Sequence, residues 1–261
     1  MLICNYMKNT KIISIVNQKG GVGKTTTAIN LSSLLSEQGL SVLLIDMDPQ
    51  ANATSGIGLR ADRIEKNLYE LLVNNDELAK VLYPTPFKNL HIIPSTRSLA
   101  GAEIEMVSMV SRETLLKTKV SKLRGYYDYI IIDCPPSLGL LTLNALVASD
   151  KVIIPVQCEY YALEGLAGLV ETITLVQESL NPNLEIAGIL LTMYDKRTAL
   201  NRQVLENTRK FFNDLVFETI IPRNIRLTEA PSHGLPIILY YPKSVGALSY
   251  INLAEEVVKR V

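Results

Sequence analysis

The feature that most constrains this chain is a glycine-rich turn that joins an apolar run to a stretch of helical period. Residues 19–26 read KGGVGKTT; they follow the apolar residues 12–16 and open the helical pattern of residues 25–38. Glycines in such a turn let successive backbone N–H groups point inward around a phosphate, and the start of the helix adds positive partial charge. A glycine-rich connection without a ligand would not need this spacing together with a Lys-Thr pair. The sequence therefore predicts a phosphate-binding loop, or P-loop.

The members of this loop have separate predicted tasks. Lys24 is expected to reach the β- and γ-phosphates of ATP, and the hydroxyl of Thr25 is expected to bind Mg²⁺. ATP and Mg²⁺ are thus the predicted cofactors, and ATP hydrolysis is the predicted reaction. The predicted nucleotide contacts in the loop are Lys19, Gly20, Gly21, Val22, Gly23, Lys24, Thr25 and Thr26.

The alternation of short apolar runs with helical patterns predicts the fold. Strands are predicted at residues 12–16, 42–45, 90–93, 129–132, 152–156, 186–191 and 216–221, and helices at residues 25–38, 163–179 and 198–212. This order is typical of an α/β fold, a mostly parallel twisted sheet flanked by helices on both faces. Ligands bind at the carboxyl ends of the strands in such sheets, and each motif described here follows a strand.

The domain organisation is predicted to be simple. Residues 1–261 are expected to form one domain because no Gly/Ser tract or low-complexity run reads as a linker, and residues 1–10 are expected to be a ragged leader, with Met7 as an alternative start. No apolar run approaches the roughly 18 residues that span a membrane, and no secretion signal is recognisable. Three cysteines without paired spacing indicate neither a disulfide framework nor a metal knuckle. A cytoplasmic location is expected.

Carboxylates directly follow two of the predicted strands. Asp46 and Asp48 come after residues 42–45, and Asp133 comes after residues 129–132. Asp133 is predicted to hold Mg²⁺ through water with Asp46 as an assistant, although an isolated Asp at such a place can simply form a turn. Asp48 is predicted to orient the attacking water, because the sequence offers no better candidate so near the phosphates.

One departure from the common P-loop pattern carries a family resemblance. The pattern asks for Gly five residues before Gly23, where this chain has Gln18, and a second lysine, Lys19, lies within the loop. Residues 19–26 resemble the deviant Walker A box of the ParA/MinD family, and Asn17 with Gln18 resembles its ParA/Soj chromosome-partitioning branch. Four further runs of this chain resemble segments of the same branch: DMDPQANAT at 46–54, DCPPS at 133–137, PRNIRLTEAPSHG at 222–234 and YYPKS at 240–244. The resemblance covers nearly the whole chain.

The resemblance implies a dimeric working state. Family members sandwich two ATP molecules between two protomers, so that Lys19 would reach the partner's nucleotide much as an arginine finger does, and Gly20 would allow the close approach. Asp48 matches the position that orients the attacking water. Pro222 and Asn224 match positions that hold the adenine. A second copy of this chain is therefore an implied partner.

Charge bears on a further implied partner, DNA. A net charge of zero and a pI of about 6.8 by themselves argue against a nucleic-acid binder. Residues 194–226, however, carry seven Lys or Arg against four Asp or Glu. Within that stretch Arg197 and Arg226 match family arginines that bind double-stranded DNA without reading its sequence; the alternative is that they are solvated surface charge. The resemblance further implies nucleoid association and a ParB/Spo0J-type centromere-binding partner that triggers hydrolysis.

Two other functions stay open from the sequence. A MinD-type regulator would lie on a membrane surface through a basic amphipathic anchor, but residues 249–261 mix both charge signs and are typical of a packed final helix. A metabolic enzyme on the same fold is the second alternative. An ATP-dependent ligase would not need the basic cluster, and an iron–sulfur reductase would need cysteine ligands for which Cys134 and Cys158 lack suitable neighbours.

Overall fold

A seven-stranded sheet organises the protein. The computed structural model describes residues 8–159 and 162–261. The strands are β1 Lys11–Ile15, β2 Val42–Asp46, β3 Tyr83–Pro84, β4 Leu90–Ile93, β5 Tyr129–Asp133, β6 Lys151–Gln157 and β7 Glu185–Thr192. They lie in the order β3-β4-β2-β5-β1-β6-β7, and only the edge pair β3 with β4 is antiparallel. The mostly parallel sheet confirms the predicted fold class; the two-residue strand β3 was not predicted.

Helices cover both faces of this sheet. They are α1 Lys24–Glu37, α2 Asn52–Gly56, α3 Leu68–Leu72, α4 Leu78–Val81, α5 Leu99–Met106, α6 Leu115–Val120, α7 Leu140–Ala148, α8 Ala162–Ser179, α9 Ala199–Phe212, α10 Ile225–Glu229, α11 Ile237–Tyr240 and α12 Val245–Arg260. The three predicted helices at residues 25–38, 163–179 and 198–212 are confirmed as α1, α8 and α9, with ends shifted by a residue.

Two hydrophobic cores, one on each face, explain why the strands read as continuous apolar runs. Ile12 and Ile130 point into the core that includes α7 and α8, whereas their neighbours Ile13 and Ile131 point into the core that includes α1 and α12. Strands buried on both faces need apolar side chains at every position, not at alternate positions. The sheet is thereby held rigidly between two helical layers.

The predicted strand at residues 216–221 is wrong as a continuous strand. It is joined to β7 and to the loop that follows β7 by isolated bridges at Val216 and Pro222 and by single hydrogen bonds such as those that Phe217 and Ile221 donate to β7. The carboxylate of Glu256 on α12 accepts hydrogen bonds from the backbone N–H of Glu218 at 2.8 Å and of Thr219 at 3.0 Å. Because these donors are engaged by a side chain, they do not extend the ladder beside β7.

The predicted leader lies mostly outside the described residues, which begin at Lys8. Its last part contacts the folded body. Thr10 is buried and its hydroxyl donates to the carbonyl oxygen of Tyr127 at 2.6 Å, and the Lys8 ammonium pairs with Asp128 at 2.7 Å. These contacts lead the chain into β1.

The strand order brings the predicted motifs together. β5 lies between β1 and β2, and the register pairs Asp133 with Asp46 on one side and with Ile15 on the other. The turn after β1 and the carboxylates after β2 and β5 therefore meet at the same edge of the sheet. This edge is where a parallel sheet binds its ligand.

Candidate active site

The turn between β1 and α1 has the backbone that its glycines predict. Gly21 and Gly23 have φ angles of 75° and 93°, in the left-handed region that residues with a Cβ rarely adopt. The side chain of Asn17 supports the turn: its Oδ1 accepts from the Lys19 N–H at 2.9 Å, and its Nδ2 donates to the Pro155 carbonyl oxygen on β6 at 2.7 Å. The loop is thus preformed and anchored to the sheet.

Side chains of the loop divide into buried and accessible ones. Val22 is buried in the protein, so only its backbone is available to a nucleotide. Gly20, Gly21, Gly23, Thr25 and Thr26 line a cleft of about 760 Å³, and Lys24 lines it with them.

The ammonium of Lys24 lies inside the loop. It donates to the carbonyl oxygen of Lys19 at 2.8 Å, and the residue is only 6% exposed. Burial lowers the pKa of Lys24, while the nearby charges of Asp133 and Asp48 oppose that shift. A cation held in this place can meet phosphate oxygens without first losing a full shell of water.

Asp133 is a buried carboxylate that lacks partners. Neither of its oxygens accepts a hydrogen bond within the described parts of the chain, and the side chain is fully buried. Burial raises the pKa of Asp133 well above its usual range, and the charges of Asp46 and Asp48 add to the rise. The nearby hydroxyl of Thr25 and the positive charge of Lys24 oppose it. An unpartnered buried carboxylate beside a threonine hydroxyl is a fitting place for a divalent cation.

The donor set also indicates which cation fits. Across the described residues, no group of three or more His, Cys, Asp or Glu side chains is arranged to hold a metal ion by itself. Mg²⁺ commonly takes only one or two protein ligands and completes its shell with phosphate oxygens and water. Thr25 and Asp133 therefore suit Mg²⁺ bound together with a nucleotide.

Asp46 differs from Asp133 although both end a strand. Its Oδ1 accepts from the Asp48 N–H at 3.1 Å, and its Oδ2 accepts from the backbone N–H and the hydroxyl of Thr54 at 2.8 and 2.6 Å. Burial raises the pKa of Asp46 to about 6, and these hydrogen bonds oppose the rise. Asp46 thus shapes the loop that carries Asp48, and its role as a metal assistant stays a prediction.

Asp48 lies at the cleft wall close to the phosphate loop. It lines the cleft together with Lys24 and Thr25 and is 7% exposed. Its Oδ1 accepts the backbone N–H of Gln50 at 2.9 Å, a local contact of the kind that a turn-forming Asp makes. The position is compatible with a water-orienting carboxylate and also with a turn former.

The two residues predicted to hold the adenine line the same cleft as the phosphate loop. Pro222 and Asn224 lie there together with Met193 and Tyr250, and their contact with a base stays a prediction. Lys19 is a predicted nucleotide-contacting residue whose side chain does not line this cleft. Its half-exposed ammonium forms an ion pair with Glu159 of the same chain, beside the cleft.

Comparisons with known proteins identify the family. A family model described as an AAA domain matches residues 10–186. The sporulation initiation inhibitor protein Soj of Bacillus subtilis is 58% identical over 95% of this chain and 98% of that protein. The chromosome partitioning protein ParA of Myxococcus xanthus is 55% identical over 96% of this chain and 88% of that protein. The chain belongs to the ParA/Soj family of P-loop ATPases.

A solved structure supports the same fold and its ligands. A protein of Mycobacterium smegmatis named cobyrinic acid a,c-diamide synthase, with bound ADP and magnesium, superimposes with a TM-score of 0.84 at 38% identity, covering 96% of this chain and 94% of that one. As a ParA/Soj-family protein the chain is an ATPase whose cofactors are ATP and Mg²⁺. The family resemblance and the predicted reaction are confirmed; the roles of individual residues stay predictions.

The two predicted DNA-contacting arginines lie on neighbouring segments near the cleft. Arg197 is in the loop between β7 and α9, and Arg226 is in α10. The two segments are joined because the Arg223 N–H donates to the Tyr194 carbonyl oxygen at 3.0 Å. The structure therefore places both arginines near residues 222–224, which line the cleft, and their contact with DNA stays a prediction.

Several residues of this ParA/Soj-family site were not predicted. The hydroxyl of Thr192 donates to the Val22 carbonyl oxygen at 2.8 Å and so fastens the phosphate loop to the end of β7. The hydroxyls of Thr27 and Tyr250 lie 3.1 Å apart and join α1 to α12. A polar residue that ends an apolar strand was a usable signal for Thr192. No local signal marked Tyr250, since its partner is more than two hundred residues away.

Proposed function

We propose that this chain is an ATP-switched, DNA-binding ATPase that partitions chromosomes or plasmids together with a ParB/Spo0J-type partner. ATP would join two copies of the chain, and the dimer would bind double-stranded DNA of the nucleoid without reading its sequence. The partner would then trigger hydrolysis and release. The similar Myxococcus protein is named a chromosome partitioning protein, which supports the partition role. Residues 1–261 would act as one domain in the cytoplasm.

The observation that carries the proposal is the position of Asn224. This residue lines the nucleotide cleft and is also the N-cap of α10, where its side-chain oxygen accepts from the Arg226 N–H at 2.8 Å. Its oxygen is thus engaged by the helix, and its amide N–H groups can face a base. A nucleotide that contacts Asn224 would therefore affect the position of the first turn of α10, which carries Arg226.

Residues of the phosphate loop and of the neighbouring strand ends have separate tasks in this proposal. Lys24 would neutralise phosphate charge from inside the loop, and Asp48 would orient the attacking water from the cleft wall. Thr25 and Asp133 would hold Mg²⁺, which when bound neutralises charge on the β- and γ-phosphate oxygens. Lys19 would act on the partner's nucleotide, so its ion pair with Glu159 has to open on dimerisation.

A membrane-surface role finds less support. The final helix α12 buries Tyr250, Leu253 and Val257 in the core that includes α1, so its apolar face is already covered. No helix in the described parts of the chain has the length and apolar character to cross a bilayer. The discriminating measurement is sedimentation with anionic liposomes and ATP, in which we expect the protein to stay in the supernatant.

A metabolic role is tested through what stimulates hydrolysis. The Mycobacterium structure carries the name of a synthase, so a small acidic metabolite is the competing stimulator. We expect the ATPase rate to rise with double-stranded DNA plus a ParB-type protein and to be insensitive to small carboxylic acids. Stimulation by such an acid alone would contradict the partition role.

Reversing the charge of Arg226 is expected to weaken DNA binding while ATP binding and dimerisation persist. A dimer offers about four phosphate contacts, from Arg197 and Arg226 of each protomer, so a fourfold rise in salt should weaken wild-type binding roughly a hundredfold. Arg226→Glu removes two of these contacts and adds repulsion. The measurement is DNA affinity against salt, with ATP and with ADP.

A matched control for Arg226→Glu is Lys122→Glu. Lys122 is an exposed cation that precedes β5, at the opposite edge of the sheet from the cleft. The same charge reversal there should change DNA affinity little. If Arg226→Glu binds DNA with wild-type affinity and salt dependence, or if wild-type protein binds DNA equally well with ADP and with ATP, the proposed DNA contacts of the arginines are wrong.

A further inference from the structure

Each arginine proposed to bind DNA is paired with a carboxylate from its own segment. Arg197 donates from Nε and Nη2 to the two oxygens of Asp195 at 2.9 and 2.7 Å. Arg226 donates from Nη1 to Oε2 of Glu229 at 2.7 Å. At both contact points the positive charge therefore has a negative charge beside it.

The pairing of Arg197 engages the donors that bind phosphate best. The Nε and Nη2 groups form the edge of a guanidinium that can grip two oxygens of one anion at once. In Arg197 this edge faces Asp195, whose Oδ1 also accepts the backbone N–H of Arg197 at 3.0 Å. A DNA phosphate must therefore bind the Nη1 and Nη2 hydrogens that point away from Asp195, or displace the carboxylate. An Asp is charged near neutral pH at its ordinary pKa, and the guanidinium lowers the pKa of Asp195 further, to about 2.

Glu229 is held against Arg226 from a second side. Its Oε2 also accepts from the hydroxyl of Tyr240 at 3.1 Å, which keeps the carboxylate from turning away. Arg226 has a further support, because its guanidinium carbon lies 5.0 Å from the ring centroid of Tyr241. Removing the charge of Glu229 should thus leave Arg226 in place and accessible to phosphate.

We propose that Asp195 and Glu229 are fixed counter-charges that set the DNA affinity of this protein. They compete with phosphate for the arginine donors and repel the DNA backbone, so that one protomer alone binds DNA too weakly to be retained. Only the doubled surface of the ATP dimer passes that threshold, and loss of the dimer after hydrolysis releases the DNA. The inference rests on the proposed DNA binding at Arg197 and Arg226 and adds the residues that keep this binding reversible.

The test is the double variant Asp195→Asn/Glu229→Gln. Both amides keep nearly the original side-chain size and one oxygen that accepts from the arginine, so the change removes the charge and, at Asp195, one of the two hydrogen bonds to Arg197. If each exposed pair changes affinity about twofold, four pairs in a dimer give about a sixteenfold tighter DNA complex with ATP, and two pairs in a monomer give about a fourfold gain with ADP. The measurement is fluorescence anisotropy of a random-sequence duplex over a range of salt concentrations.

The matched control removes a carboxylate charge from an ion pair elsewhere. Glu185 pairs with the Lys151 ammonium at 2.6 Å where β6 and β7 begin, at the opposite edge of the sheet from the cleft. Glu185→Gln should leave DNA affinity unchanged. Size-exclusion chromatography with ATP checks that each variant still dimerises. If the double variant does not dimerise, the single variants Asp195→Asn and Glu229→Gln replace it in the test, and each is expected to bind DNA about fourfold more tightly than wild type.

The outcomes separate this inference from the proposed function. Wild-type protein that binds DNA with ATP, together with dimerising variants that bind no more tightly than wild type, overturns the counter-charge role alone. Wild-type protein that fails to bind DNA with ATP overturns both. A gain shared equally by Glu185→Gln overturns the assignment to Asp195 and Glu229, because it would report only net charge.

Discussion

Replacing Lys24 by alanine is expected to abolish ATP binding at physiological nucleotide concentrations. The Lys24 ammonium is buried inside the phosphate loop, and removing one partner of a buried charged contact costs about 2–5 kcal/mol. That range corresponds to a loss of affinity from roughly thirtyfold to several thousandfold. Equilibrium binding of a fluorescent ATP analogue measures it.

Lys19→Ala is the matched control for this result. Lys19 lies in the same loop but directs its half-exposed ammonium to Glu159 instead of the cleft. Its alanine variant should bind ATP about as tightly as wild type and lose the ATP-dependent dimer, which size-exclusion chromatography reports. If Lys19→Ala still dimerises, the lysine does not act across the interface; if Lys24→Ala binds ATP normally, this loop is not the phosphate site.

Asp48→Ala is expected to slow ATP turnover by about a hundredfold or more, the usual contribution of a positioned acid or base. ATP binding and dimerisation should persist, because Lys24 and the loop backbone are untouched. The stalled dimer should then stay on DNA far longer than wild type does. Steady-state phosphate release and the lifetime of the DNA complex after dilution measure the two effects.

Asp48→Asn separates catalysis from turn formation. The carboxamide oxygen of Asn can still accept the Gln50 N–H that Asp48 accepts at 2.9 Å, but the negative charge is lost. A turn-forming Asp48 predicts an active Asn variant, whereas a water-orienting Asp48 predicts that Asn is nearly as slow as Ala. Near wild-type turnover in both variants would transfer the water-orienting role to another carboxylate, with Asp133 as the next candidate.

The phosphate loop and the sheet were readable from the sequence because their causes are local. Gly21 and Gly23 are required by backbone angles within the loop itself, and strands buried on both faces must be apolar at every position. The predicted strand at residues 216–221 failed for a distant reason. Its apolar character is real, but Glu256, far along the chain, engages the backbone donors of Glu218 and Thr219.

The sequence by itself determined the family and the nucleotide and predicted the site residues, since each depends on residue type at short spacing. Only the tertiary structure distinguished Asp46, whose oxygens accept from Asp48 and Thr54, from Asp133, whose buried oxygens have no partner in the described residues. It also paired Lys19 with Glu159 across the fold. The physical reason is that a charged side chain is defined by its hydrogen-bond and ion-pair partners, and folding brings those partners from segments that no local pattern connects.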